Sequence, residues 1–122
     1  MNGHDIAFVV AGVIGSGVAV IHGVLTQRFL VKPTLELSIP SRARKLIPGL
    51  LHFSTFNWFV SGLALVAVSF AHEYETKFAV GMLAASSYLF GALGNLWATR
   101  GPHLGWMLYG LAVLAIIYGL SG

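Results

Sequence analysis

Apolar residues run through this chain in four long blocks, at 6–27, 48–71, 78–99 and 102–120. None of the four contains an Asp, Glu, Lys or Arg. Each is close to the ~20 residues that a helix needs to cross a hydrocarbon core of about 30 Å. A segment in lipid must satisfy its own backbone hydrogen bonds, which a helix does and an isolated strand does not. The blocks are too long and too evenly apolar for barrel strands. The pattern predicts an all-α fold: a bundle of four transmembrane helices forming one integral membrane domain over residues 1–122.

Composition sharpens this. The chain is 57% apolar and 9% charged, with a mean hydropathy of +0.81, outside the range of water-soluble domains. There is no cysteine, which excludes disulfides, thiolate metal sites and thiol redox catalysis. The flank before the first block, Asn2-Gly3-His4-Asp5, carries no Lys or Arg. A cleavable signal peptide places its positive charge there, so the first helix is expected to be retained.

Charge then sets an orientation. Of the seven basic residues, Arg28, Lys32, Arg42, Arg44, Lys45 and Arg100 fall in the first and third connections, and only Lys77 falls in the second. Positive charge favours the cytoplasmic face. The expectation is a basic cytoplasmic loop over 28–47, with both termini on the non-cytoplasmic side. Arg28, Lys32, Arg42, Arg44 and Lys45 are suited to anionic lipid headgroups, a better account of the net charge of +3 than nucleic-acid binding. Within this loop, Ser41 can cap one or two turns of interfacial helix.

Small residues recur inside the blocks, as at Gly12, Ser16, Ala19 and Gly23. Such spacings let membrane helices approach closely. A small-residue face can also meet another subunit, so the partners expected are membrane lipids together with a second copy or other membrane subunits.

Intramembrane polar groups are costly and therefore the first functional candidates. His22, His52 and Asn95 each lie about four residues inside the cytoplasmic boundary, about 6 Å deep at the helical rise. His103 opens the fourth helix at the same end, with Thr26, Gln27, Thr55, Trp97 and Trp106 at nearby levels. Three readings remain open. The cluster can hold helices together by hydrogen bonds. It can bind a cofactor, with His22, His52 and His103 as a transition-metal site, or His22 and His52 as axial haem ligands. It can carry protons or ions, with Asn57 and Tyr88 continuing the polar track towards mid-membrane. Asn57 and Trp58 also suit interhelical hydrogen bonding. On the other side, His4 and His72 with Asp5, Glu73 and Glu75 form either a weak surface metal site or a solvated rim.

His22, Leu25, Arg28, Leu30 and Pro33 form an H-x-x-L-x-x-R-x-L-x-x-P element. Arg44-Lys45-Leu46 and the later His52-Phe53-Ser54-Thr55-Phe56-Asn57-Trp58 form a second, R-x-L followed by H-x-S-T-x-x-W. The pairing resembles a group of small bacterial four-helix membrane proteins of no assigned activity. That resemblance implies a bacterial inner-membrane location and importance for His22, His52 and Trp58. No nucleophile or general acid/base constellation is present, so the function expected is that of a non-catalytic membrane subunit. A small oligomeric channel or transporter is the alternative.

Overall fold

The computed structural model describes residues 1–122, and every regular element in it is helical. α1 spans Gly3–Thr26, passes through a π-helical turn at Gln27–Val31 and continues into the short helix α2, Lys32–Leu35; α3 spans Ser41–Val68, α4 Tyr74–Thr99 and α5 Leu104–Leu120. The four apolar blocks thus become α1, α3, α4 and α5. Three helices are long and apolar enough to cross a membrane: Gly3–Leu35 taken as one rod, Ser41–Val68 and Tyr74–Thr99. The fourth, Leu104–Leu120, is a shorter apolar helix.

The helices extend further into the basic region than the apolar blocks do. The loop expected over 28–47 shrinks to the few residues between Leu35 and Ser41. Two physical reasons account for this. Arg and Lys are good helix formers whose stems can lie along apolar surface. Pro33 falls in the first turn of α2, where its missing N–H is tolerated. Pro48 lies inside α3 and does not set its start. Pro40 is the N-cap, without a side-chain hydrogen bond, and Ser41 is the first helical residue. Arg44 donates to the carbonyls of Leu35 and Leu37, covering the C-terminal end of α2.

The four long helices form a ring in which α1 touches α3 and α5, and α4 touches α3 and α5. Close approach is concentrated between α1 and α3. A Cβ at Gly12 would lie 2.5 Å from the Gly62 carbonyl oxygen, and one at Gly62 would lie 2.6 Å from that of Gly12. Beside them Ser16 Oγ donates to the Phe59 carbonyl at 3.2 Å. The ring closes on Phe8, Leu65, Tyr88, Tyr109 and Ile116, each at most 1% exposed. Only 23 of 122 residues are buried, while side chains such as Val13, Phe53, Leu83, Phe90 and Leu114 cover the outside. That apolar exterior exceeds what a water-soluble monomer presents and suits a lipid surround.

Both termini meet at one end of the bundle. His4 Nδ1 hydrogen-bonds the Tyr118 carbonyl at 2.8 Å, and the two rings stack at 4.7 Å. Tyr74 donates to the Leu120 carbonyl at 3.2 Å. Asn2 and Asp5 form a reciprocal capping box at the start of α1, and Lys77 pairs with Asp5 at 2.5 Å. Asp5 precedes the first apolar block. The Lys77 hydrogen bond, followed by the Asn2 backbone N–H, holds its carboxyl below the usual carboxylate range. A depressed pKa contributes stability above the unfolded value, lost as pH falls through the folded one. Thermal melts in mild detergent are therefore expected to weaken below about pH 4 in the wild type. Asp5→Asn should melt lower at neutral pH and lose this part of the pH dependence. Parallel pH profiles for the two proteins would count against the pairing.

Candidate functional site

At the end opposite the termini, α1, α4 and α5 enclose a cavity of about 230 Å³. Its polar lining is His22 from α1, Asn95 from α4, and His103 and Tyr109 from the last segment. Aliphatic residues, among them Ile21, Leu25 and Leu104, make up most of the rest. These three are 57%, 44% and 67% exposed, so the cavity opens onto the apolar outer surface of the bundle. No Asp, Glu, Lys or Arg lines it.

His22, Asn95 and His103 each have a hydrogen-bond partner within the protein. His22 Nε2 hydrogen-bonds Ser54 Oγ at 3.1 Å and Thr26 Oγ1 at 3.2 Å, and the ring stands edge-on to Trp58 at 4.7 Å. The α1–α3 contact thereby fixes the imidazole, with Nδ1 outside both bonds. Asn95 donates its amide N–H to the Gly91 carbonyl at 2.8 Å, one turn back, leaving its oxygen to accept. His103 is the N-cap of α5 and accepts the Gly105 N–H at Nδ1, 3.2 Å away. In its neutral form this ring carries the proton on Nε2. Tyr109 stacks on Tyr88 at 4.9 Å and meets Trp58 edge-on at 4.8 Å. Its hydroxyl is buried and has no hydrogen-bond partner.

The structure therefore brings together His22, Asn95 and His103, three of the four polar residues that the sequence places at the same end of the bundle. The fourth, His52, turns elsewhere: its Nε2 pairs with Gln27 Oε1 at 2.8 Å. It lines a shallow groove between α1 and α3 with Thr55, whose hydroxyl is also buried without a partner. All three imidazoles already spend a ring nitrogen on protein groups. The chain contains no group of three or more His, Cys, Asp or Glu side chains placed to hold a metal ion, the acidic and His residues near the termini included. There His4 faces Tyr118 and Asp5 faces Lys77.

Beneath the cavity the mid-depth residues form an interhelical polar seam. Ser87 donates to Asn57 Oδ1, Trp58 Nε1 donates to the Ser87 carbonyl at 3.3 Å, and the Tyr88 hydroxyl donates to the Trp58 carbonyl at 3.0 Å. Asn57, Trp58 and Tyr88 thus join α3 to α4. Sequence reasoning missed Tyr109. Its signal was available: a hydroxyl in the apolar interior of the fourth block, two helical turns beyond Pro102.

Comparison of the chain with protein-family models, with curated proteins and with solved structures finds no match.

Proposed function

We propose that this protein is a non-catalytic integral membrane subunit. In this reading α1, α3, α4 and α5 all cross the bilayer. The termini lie on the non-cytoplasmic side, and the cavity at the cytoplasmic end is the functional spot. The observation carrying the reading is the convergence of His22, Asn95 and His103 on one cavity with an otherwise apolar lining. A few placed polar groups in an apolar concavity are the usual make-up of a binding site. The 17 residues of α5 span about 26 Å, enough for a crossing in a slightly thinned bilayer. The unbroken core around Tyr88 and Tyr109 favours a binding subunit over a pore through a single bundle. Lateral packing with copies of itself or with other membrane subunits would cover part of the apolar exterior. Exposed Arg28, Lys32, Arg42 and Lys45 would meet anionic headgroups. The resemblance over residues 22–58 supports a bacterial inner membrane.

Because the chain lacks cysteine, single engineered cysteines report topology without background. In bacterial cells with the outer membrane permeabilised and the inner membrane intact, Glu75→Cys and Ser121→Cys should react with an impermeant maleimide. Ser38→Cys should react only after the inner membrane is opened. Protection of Ser121→Cys while Glu75→Cys reacts would remove α5 from the crossings. For the role itself, a subunit should run in an assembly larger than one chain on native gels and move no ions in liposomes. Ion flux lost in His22→Ala with assembly intact would instead make it a transporter.

A further inference from the structure

Resting on the subunit reading, we propose that the protein pairs with a second copy of itself across the groove between α3 and α4, the Asn57 carboxamides of the two chains bonding each other. The groove has a volume of about 220 Å³, and Asn57 and Ser61 are the polar residues in its lining. They stand one helical turn apart on α3 and straddle the middle of the apolar block 48–71. Exposed Phe56 and Leu83 flank them, so the groove opens onto the outer surface of the bundle.

The hydrogen bonds left open here belong to the amide. Asn57 Oδ1 accepts the Ser87 hydroxyl, which uses one of its two lone pairs. Neither amide N–H is bonded within the protein. Asn95 shows the alternative, donating its amide to the Gly91 carbonyl one turn back; Asn57 does not fold back in this way. Ser86 likewise donates to the Met82 carbonyl of its own helix, whereas the Ser61 hydroxyl has no partner. A polar group left open to hydrocarbon is costly, and acyl chains at mid-membrane offer nothing to bond it. The group that answers it is therefore protein, and hydrogen bonds between membrane helices are an established glue. A second Asn57 carries the same unspent set: each N–H can reach the other chain's Oδ1. That reciprocity is what a two-fold contact requires. Shape repeats it. Bulky Phe56 and Leu83 stand beside small Ser61, Ala64 and Ala84 on one surface, so each copy brings both the knobs and the space for them.

The test uses the full chain returned to phosphatidylcholine vesicles. Because the protein has no cysteine, Val60→Cys on the groove and Gly17→Cys serve as single cross-linking sites. Gly17 lies at a matching depth on the exposed side of α1, where a Cβ meets nothing. Val60→Cys should oxidise to a covalent dimer, and Gly17→Cys should not. Energy transfer between chains labelled at Ser121→Cys, followed as added lipid dilutes them, gives the dissociation constant. Asn57→Leu should raise it by about fivefold or more. Ser87→Ala removes the same Ser87–Asn57 bond within the chain but keeps the amide, so its constant should stay at the wild-type value. No energy transfer at any dilution overturns the proposal; a larger assembly on native gels would then leave the subunit reading standing, with other proteins as partners. Cross-linking of Gly17→Cys without Val60→Cys overturns it by placing the contact elsewhere. Equal weakening by Ser87→Ala and Asn57→Leu overturns it too, since the bond within the chain would then be what supports the pair. Ion flux from chains that still pair through Asn57 sinks the subunit reading and upholds the contact.

Discussion

Gly62→Leu is expected to separate α1 from α3 and cost about 3 kcal/mol or more, the upper range for overpacking. The reason is what stands opposite. A Cβ at Gly62 would fall 2.6 Å from the Gly12 carbonyl oxygen and 2.7 Å from the Ser16 nitrogen. Both are backbone atoms of a helix, so no rotamer change can clear the space and the whole of α1 must move. Moving it stretches the Ser16–Phe59 hydrogen bond and shifts His22 away from Ser54. Helix association in lipid depends on close packing rather than on exclusion of water, so little else compensates. The measurement is helicity loss on titration with a denaturing detergent, against Gly17→Leu. Gly17 lies in the same α1, but a Cβ there would have no neighbouring atom within 4 Å, and its variant should behave as wild type. If Gly62→Leu and Gly17→Leu unfold together, the close-approach account is wrong.

That contact also shows what a sequence reveals and what it hides. The Gly12, Ser16 and Gly23 stripe was visible as small residues at helical spacing, and it does face α3: Gly12 against Gly62, Ser16 against Phe59, Gly23 against Thr55. Depth was equally legible, because residues are counted inward from the charged ends. Facing was not. His22 and His52 share a level, yet α1 turns His22 towards the cavity and α3 turns His52 to Gln27. That difference depends on helix rotation, which only the packed partners fix. The helix ends were hidden for another reason: hydropathy marks where the apolar stretch stops, whereas backbone hydrogen bonding continues through Arg28 and Lys32. Arg100 adopts a left-handed conformation at φ 50°, ending α4 just before Gly101 and Pro102. There the tight turn in the sequence and the turn in the structure coincide.

Trp58→Ala is expected to be the other severe substitution, at about 3 kcal/mol, the low end for removing a buried large aromatic. The low end applies because lipid is nearly as apolar as the core, so the loss is mainly of packing. Trp58 is 6% exposed and works on three sides. Its indole N–H reaches the Ser87 carbonyl at 3.3 Å. Its ring braces both His22 and Tyr109. Its six-membered ring lies over Gly91, where a Cβ would be 2.5 Å from Cζ2. Trp58→Phe keeps much of the volume and loses the donor, so it should cost nearer ~1 kcal/mol. The Gly91 contact supplies an internal check. Gly91→Val should destabilise the wild type by forcing a side chain into the indole, but should do much less harm once Trp58 is Ala. The two changes share one space, so their coupling should be about 1 kcal/mol or more, in the direction of relief. Detergent-unfolding curves for the two single variants and the double variant measure it. Additive losses would mean that Trp58 and Gly91 do not bear on one another, and the α3–α4 contact would then need another support.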